Sequence, residues 1–153
     1  MSLRERLQTE VTAAMRSRDA ARLDALRMVL AAVQRVEKEG HHELSDDEML
    51  AVLTREFKVR NESLEAFRGG GREDLVAREE AAIEVISEFM PQPLAEAELS
   101  ALVEQAISET AAATPRDMGK VMSWLGPKTR GRADGKVVAT LVSAELAARA
   151  AGS

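Results

Sequence analysis

Apolar residues recur every three or four positions along almost the whole chain, and strict alternation of apolar and polar residues is nearly absent. The first stripe, Leu3, Leu7, Val11 and Met15, shows this spacing in its simplest form. A period near 3.6 residues is typical of an amphipathic helix, whereas a half-buried strand has a period of two. Only four residues are aromatic and β-branched residues are scattered, so the composition also favours helices over a sheet. We therefore predict an all-α fold.

Helix starts and ends are marked by short polar signals in the first 90 residues. A serine followed three positions later by glutamate forms a capping box, and this pattern occurs at Ser2 and at Ser45. Glycines follow the second stripe at Gly40 and the third at Gly69–Gly71. The triple glycine follows a helical pattern rather than a strand, so we interpret it as a helix end and not as a phosphate-binding loop. Four helices are predicted here.

The segment 90–93, Met-Pro-Gln-Pro, is the best candidate for a domain boundary because it contains the only close pair of prolines. Three shorter helices are predicted after it. The second of these begins at Thr114–Asp117, with proline at the first helical position, and the third begins near Asp134. We predict a four-helix N-terminal domain over residues 1–90 and a three-helix C-terminal domain over residues 94–153.

Positive charge is concentrated near the C-terminal end. Residues 116–136 contain six basic and two acidic side chains, a net charge of +4, whereas the rest of the chain contains 15 basic and 24 acidic side chains, a net charge of −9. A chain with a net charge of −5 is not expected to bind polyanions non-specifically, but a local basic surface can contact phosphate. The candidate nucleic-acid-binding residues are Lys120, Lys128, Arg130, Arg132 and Lys136, together with Gly119 and Gly131. Gly131 and Gly135 permit backbone conformations and close approaches that a larger residue would obstruct.

Two features of this segment have alternative interpretations. The amides that begin the last helix could bind a phosphate, or Asp134 could simply cap that helix while the basic side chains are solvated. Trp124 could stack on an unpaired base, but as the only tryptophan in an aromatic-poor chain it is expected to pack in the core.

The order of several short stretches resembles the YqeY-like protein family over essentially the whole chain. Its C-terminal signature is similar to Asp117–Met122 followed by Gly131–Lys136. The other similar stretches are Arg22–Met28, Gly71–Leu75 and Phe89–Leu94.

The C-terminal part of that family is similar to the tail domain of GatB, a subunit of the glutamine-dependent tRNA amidotransferase. The resemblance implies an all-α fold and a tRNA contact through the tail, with amidotransferase subunits or an aminoacyl-tRNA synthetase as further partners. Gly119, Lys120, Gly131 and Lys136 match the shared signature most directly, and Arg132 and Asp134 fit the free-standing proteins. The resemblance also implies a family-level label, carbon–nitrogen ligase activity with glutamine as amido-N-donor. This activity belongs to the larger amidotransferase complex, from which the label is inherited.

Residues suited to catalysis are sparse. The chain has no cysteine, and its only histidines, His41 and His42, are predicted to lie in a solvated loop rather than at a metal. The carboxylates of Glu79–Glu80 and Asp46–Glu48 are interpreted as solvated helix faces or as partners of the positive N-terminal end of a helix dipole. We predict no catalytic residue, cofactor or metal. The absence of cysteine and of an apolar leader or membrane segment favours a cytoplasmic protein.

The sequence therefore favours a non-catalytic tRNA-binding accessory protein with no membrane association. A protein-interaction module that docks on an amidotransferase or a synthetase without contacting RNA is the alternative. A third hypothesis, an amidotransferase in its own right, conflicts with the lack of a nucleophile and an ATP site.

Overall fold

The structure is a computed structural model that describes residues 1–152, and within this range the regular structure consists of seven α-helices and one 3-10 helix, without a strand. The prediction of an all-α protein is therefore confirmed. The α-helices are α1 (Leu3–Ser17), α2 (Ala20–Gly40), α3 (Asp46–Gly69), α4 (Glu73–Phe89), α5 (Glu96–Glu109), α6 (Met118–Thr129) and α7 (Gly135–Ala151). None of the helices in residues 1–152 combines the length and the apolar character needed to span a bilayer.

The helices form two compact units, and the chain passes from one to the other between Pro91 and Gln92. The first unit contains α1–α4, and the second contains α5–α7 with the 3-10 helix Pro115–Asp117.

The core of the first unit is formed by the apolar stripes of its four helices. Helix α4 packs on α2 and α3, and α1 packs on α2. Leu7, Leu26, Met49, Leu53 and Ile86 are fully or almost fully buried in one cluster to which all four helices contribute.

Both capping boxes of this unit are present. At the start of α3 the Ser45 hydroxyl accepts a hydrogen bond from the Glu48 amide at 3.2 Å, and the Glu48 carboxylate accepts one from the Ser45 amide at 2.8 Å. The Ser2 and Glu5 pair does the same for α1. Leu44 and Met49, which flank the α3 cap, both belong to the core cluster, the arrangement of a hydrophobic staple.

The prediction that Glu79 lies on a solvated helix face was wrong. Glu79 on α4 and Glu56 on α3 are only 7% and 8% exposed, and Arg60 lies between them. The Arg60 guanidinium is 3.4 Å from a carboxylate oxygen of each glutamate, and Arg35 approaches Glu56 at 3.6 Å. A carboxylate can occupy such a position because a basic partner offsets the loss of its hydration.

The second unit has its own core on the inner faces of α5, α6 and α7. Leu99, Ile107, Leu125 and Leu146 are among its buried residues, and Val121 and Val142 are fully buried. The α-helix predicted to begin at Thr114 instead begins at Met118, because residues 115–117 form a 3-10 turn before it. Helix α7 begins at Gly135, next to Asp134 as predicted.

Candidate nucleic-acid interface

The predicted site residues lie on α6, on the loop between α6 and α7, and on the first turn of α7. Gly119 and Lys120 are exposed in the first turn of α6, and Lys128 is exposed in its last turn. Arg130 is exposed immediately after this helix, and Lys136 is exposed in the first turn of α7. The structure thus places four cationic side chains on the surface of one small unit.

Asp117 fixes the chain that enters α6. One oxygen of its carboxylate accepts hydrogen bonds from the amides of Ala113 at 2.7 Å and Thr114 at 3.1 Å, and the other lies 3.4 Å from Lys120 Nζ. The two amides, and then Lys120, lower the pKa of Asp117. The Lys120 side chain nevertheless stays about half exposed, so a surface ion pair of this kind leaves it available to a phosphate.

Trp124 packs against the core of the second unit and is only partly buried. The ammonium nitrogen of Lys128, one turn further along α6, lies 3.9 Å from the centre of the indole ring, within the range of a cation–π contact. Trp124 thus packs on the core, as expected, and Lys128 lies over its indole ring. Lys120 and Lys128 are eight positions apart, which separates them by roughly 12 Å along the helix axis.

The loop between α6 and α7 has a defined backbone. Gly131 is buried and has a φ of 73°, a left-handed conformation that glycine adopts without steric cost. The Thr129 carbonyl accepts hydrogen bonds from the amides of Arg132 at 2.9 Å and Ala133 at 3.0 Å. Thr129 itself is buried, and its hydroxyl donates to the Leu125 carbonyl at 3.1 Å. Gly131 is therefore needed for the turn, not as an exposed backbone contact.

Arg132 differs from the other basic residues because its side chain is engaged within the unit. Its Nε donates to the Gln92 carbonyl at 2.9 Å, and Nη2 lies 3.9 Å from the Glu98 carboxylate. Its carbonyl accepts a hydrogen bond from the Leu94 amide at 2.9 Å. These partners precede it by 34 to 40 residues, so no local pattern in the sequence could have indicated them.

The Asp134 carboxylate lies at the start of α7, the position where a phosphate could otherwise bind. Asp134 Oδ1 accepts a hydrogen bond from the Lys136 amide at 2.8 Å, as an N-cap residue does. Because a carboxylate already uses this amide and repels another anion, Asp134 acts as the helix cap. The Lys136 side chain has no ion-pair partner among residues 1–152 and supplies a cation beside this cap.

Polar clusters elsewhere serve the fold. Arg22 bridges Glu10 at 2.8 Å and Glu88 at 2.9 Å, and the hydrogen bonds that it donates to Glu88 and then to Glu10 raise the pKa of the arginine. These three residues line a shallow cleft of about 490 Å³ in the first unit, whose charges are already paired. No group of three or more histidine and carboxylate side chains in residues 1–152 is arranged to hold a metal ion.

Comparison with known proteins relates the chain to one family. A family model described as Yqey-like protein matches residues 4–146. "Altered inheritance of mitochondria protein 41, mitochondrial" from Pyrenophora tritici-repentis is 29% identical over 130 residues, which cover 84% of this chain and 71% of the relative. The protein of the same name from Lachancea thermotolerans is 29% identical over 139 residues, covering 86% of this chain and 74% of the relative.

Proposed function

This chain belongs to the YqeY-like protein family, and on that premise we propose that it is a non-catalytic RNA-binding accessory protein whose second unit contacts tRNA. The proposed contacts are the exposed cations Lys120, Lys128, Arg130 and Lys136. We also propose that the four-helix and three-helix units are separate domains, so that this surface belongs to a folded module of its own.

The observation that carries the proposal is the separation of charge within the second unit. From residue 92 onward the chain contains seven basic and seven acidic residues, and six of the basic ones lie between residues 116 and 136. Helix α5 contains four glutamates and no basic residue. A unit with no net charge can still bind a polyanion through one positive face, because the interaction with phosphate is screened beyond about 10 Å at moderate ionic strength.

The chemistry of this face favours recognition of backbone and shape over recognition of bases. Its cations are suited to phosphate, whereas its single aromatic ring packs on the core and is covered by Lys128. Proteins that bind folded RNA without aromatic platforms rely on the spacing of phosphates and 2′-hydroxyl groups. The resemblance of the C-terminal part to the GatB tail makes tRNA the RNA that we propose.

The test is the binding of nuclease-treated protein to total tRNA between 50 and 200 mM salt. We compare the wild type with Lys120→Ala/Lys136→Ala, and the control is Lys58→Ala/Arg78→Ala, which changes the net charge equally at exposed positions of the first unit. Each phosphate contact contributes roughly 0.7 to 0.9 to the slope of log affinity against log salt. The wild type should therefore lose about tenfold more affinity over this range than the Lys120/Lys136 variant.

Binding by the wild type and the control, with a smaller slope in the Lys120/Lys136 variant, would support the proposal. Equal slopes in all three proteins would contradict the assignment of these residues. No binding by the wild type at 50 mM salt would contradict RNA binding itself.

A protein partner is the second candidate function, and the charge of the first unit favours it. This unit contains 19 acidic and 14 basic residues, so its surface repels RNA and suits a basic partner such as an amidotransferase subunit or an aminoacyl-tRNA synthetase. Partners recovered after nuclease treatment and retained by the Lys120/Lys136 variant would support this function. A cytoplasmic location stays a prediction, and the names of two relatives place those proteins in mitochondria.

A further inference from the structure

We infer that Arg132 is a positioning residue, which fixes the loop between α6 and α7 on the segment Gln92–Glu98 instead of contacting phosphate. This inference concerns the surface described above, and its RNA part rests on the proposed function. Its structural part stands on contacts within the second unit alone.

Three contacts join Arg132 to that segment. The side-chain Nε donates to the Gln92 carbonyl at 2.9 Å, and the backbone carbonyl of Arg132 accepts from the Leu94 amide, also at 2.9 Å. The terminal nitrogen Nη2 lies 3.9 Å from the Glu98 carboxylate. The side chain and the backbone of one residue thus connect the loop to the beginning of the unit, on both sides of Pro93.

These contacts occupy the edge of the guanidinium that would bind an anion. Arginine recognises phosphate best through two parallel N–H groups, as Nε and a terminal nitrogen provide. In Arg132 the Nε proton is already donated to a carbonyl, and the nearby Glu98 carboxylate would repel a phosphate. Only 34% of the side chain is exposed. A phosphate would have to displace these partners, whereas the exposed Lys136 side chain requires no such rearrangement.

Fixing this loop determines where its neighbouring cations lie. Arg130 and Lys136 flank the loop, which is also held by the buried Gly131 and by two amide hydrogen bonds to the Thr129 carbonyl. A loop that is ordered before binding loses less conformational entropy in the complex. Arg132 therefore supports affinity through the residues around it.

The experiment uses Arg132→Lys, which keeps the charge but not the guanidinium, and Arg132→Met, which removes both. Lys136→Met is the matched control, because it removes a charge next to the loop without touching the three contacts. Exchange of the Leu94 amide is measured by NMR in each full-length protein without RNA, together with the thermal midpoint. Affinity for total tRNA is then measured well below that midpoint.

We expect Leu94 exchange to accelerate about fivefold in both Arg132 variants, the effect of losing one supporting hydrogen bond, and to stay unchanged in Lys136→Met. We expect Arg132→Lys to lose as much tRNA affinity as Arg132→Met. A direct phosphate contact predicts instead that lysine preserves binding.

Unchanged Leu94 exchange in Arg132→Met would overturn the inference, and so would wild-type affinity in Arg132→Lys. A lower thermal midpoint with unchanged tRNA affinity would reduce Arg132 to a residue that only stabilises the fold, which also overturns it. If the wild type binds no tRNA but Leu94 exchange responds as expected, the proposed function fails while the role of Arg132 in fixing the loop is supported.

Discussion

The guanidinium of Arg60 faces the carboxylates of two buried residues, Glu56 and Glu79. Arg60 Nε and Glu79 Oε2 are buried without a hydrogen-bond partner among residues 1–152. Such a cluster stabilises the fold little as a whole, but removal of the cation that the two glutamates share takes from the buried Glu79 its arginine partner and leaves Glu56 with Arg35 at 3.6 Å.

We therefore expect Arg60→Leu to lower the free energy of unfolding by about 3 kcal/mol. Arg68→Leu on the same helix is the control, because Arg68 is half exposed and its ion pairs with Glu65 and Glu80 are screened by water. That change should cost less than about 0.5 kcal/mol. Urea unfolding measures both, and equal losses would show that the buried carboxylates do not depend on Arg60.

His42 gives the first unit a pH-dependent contact. Its Nδ1 lies 3.1 Å from the Gly40 carbonyl, and its Nε2 lies 3.1 Å from a Glu48 oxygen. Both nitrogens can donate only in the protonated ring, so these contacts, with the Gly40 carbonyl first, raise the pKa of His42. A raised pKa in the folded state means that the stabilisation is fully present below the unfolded pKa of about 6.5 and is lost as the pH rises through the folded value.

The expected result is that the stability difference between wild type and His42→Asn decreases as the pH is raised from about 6 to about 8. An NMR titration of the imidazole gives the direct measurement, with a midpoint above about 6.5 in the wild type and closer to it in Glu48→Gln. A midpoint at or below the ordinary value would contradict the two contacts.

At the scale of elements, helix starts were the most predictable features because their signals are local. The capping boxes at Ser2 and Ser45 use residues three positions apart, and both exist in the structure. Thr114–Pro115 was predicted to open an α-helix and instead opens a 3-10 turn. Asp117 explains the difference, since its carboxylate binds the amides of Ala113 and Thr114 and so completes the turn before α6 begins.

Removing the hydroxyl of Ser45 tests the cap of α3. We expect Ser45→Ala to reduce the free energy of unfolding by about 1 kcal/mol, because the Glu48 amide loses its acceptor. Ser45→Asn, which still offers an oxygen to that amide, should retain most of the stability. Thermal or urea unfolding distinguishes the two, and an equal loss in both variants would assign the effect to something other than the hydrogen bond.

At the scale of the whole molecule, features that depend on neighbouring residues in the sequence could be predicted, and contacts between residues far apart in the sequence could not. The apolar stripes predicted which helix faces are buried, yet they gave no indication that Arg60 on α3 lies between two buried carboxylates, those of Glu56 and Glu79. A charged residue at a core position carries no periodic signal of its own, and its partner Glu79 lies 19 residues away.

The basic surface of the second unit was likewise predictable in part. The local excess of positive charge between residues 116 and 136 is a property of the sequence, and the structure places most of these side chains at the surface of one unit. The difference between Arg132, whose side chain is bound to other residues of the unit, and the exposed Lys136 could not be predicted. It depends on the packing of a segment 34 to 40 residues before Arg132 against the loop. Composition alone treats both residues as equal cations.

The contact between Lys128 and Trp124 also has an optical consequence. The chain contains one tryptophan and no tyrosine, so its indole emission originates entirely from α6. An ammonium group 3.9 Å from the centre of the ring perturbs the excited state of the indole. An anion that draws Lys128 away therefore changes the wavelength and intensity of the tryptophan emission. The molecule therefore carries a built-in fluorophore beside its basic surface.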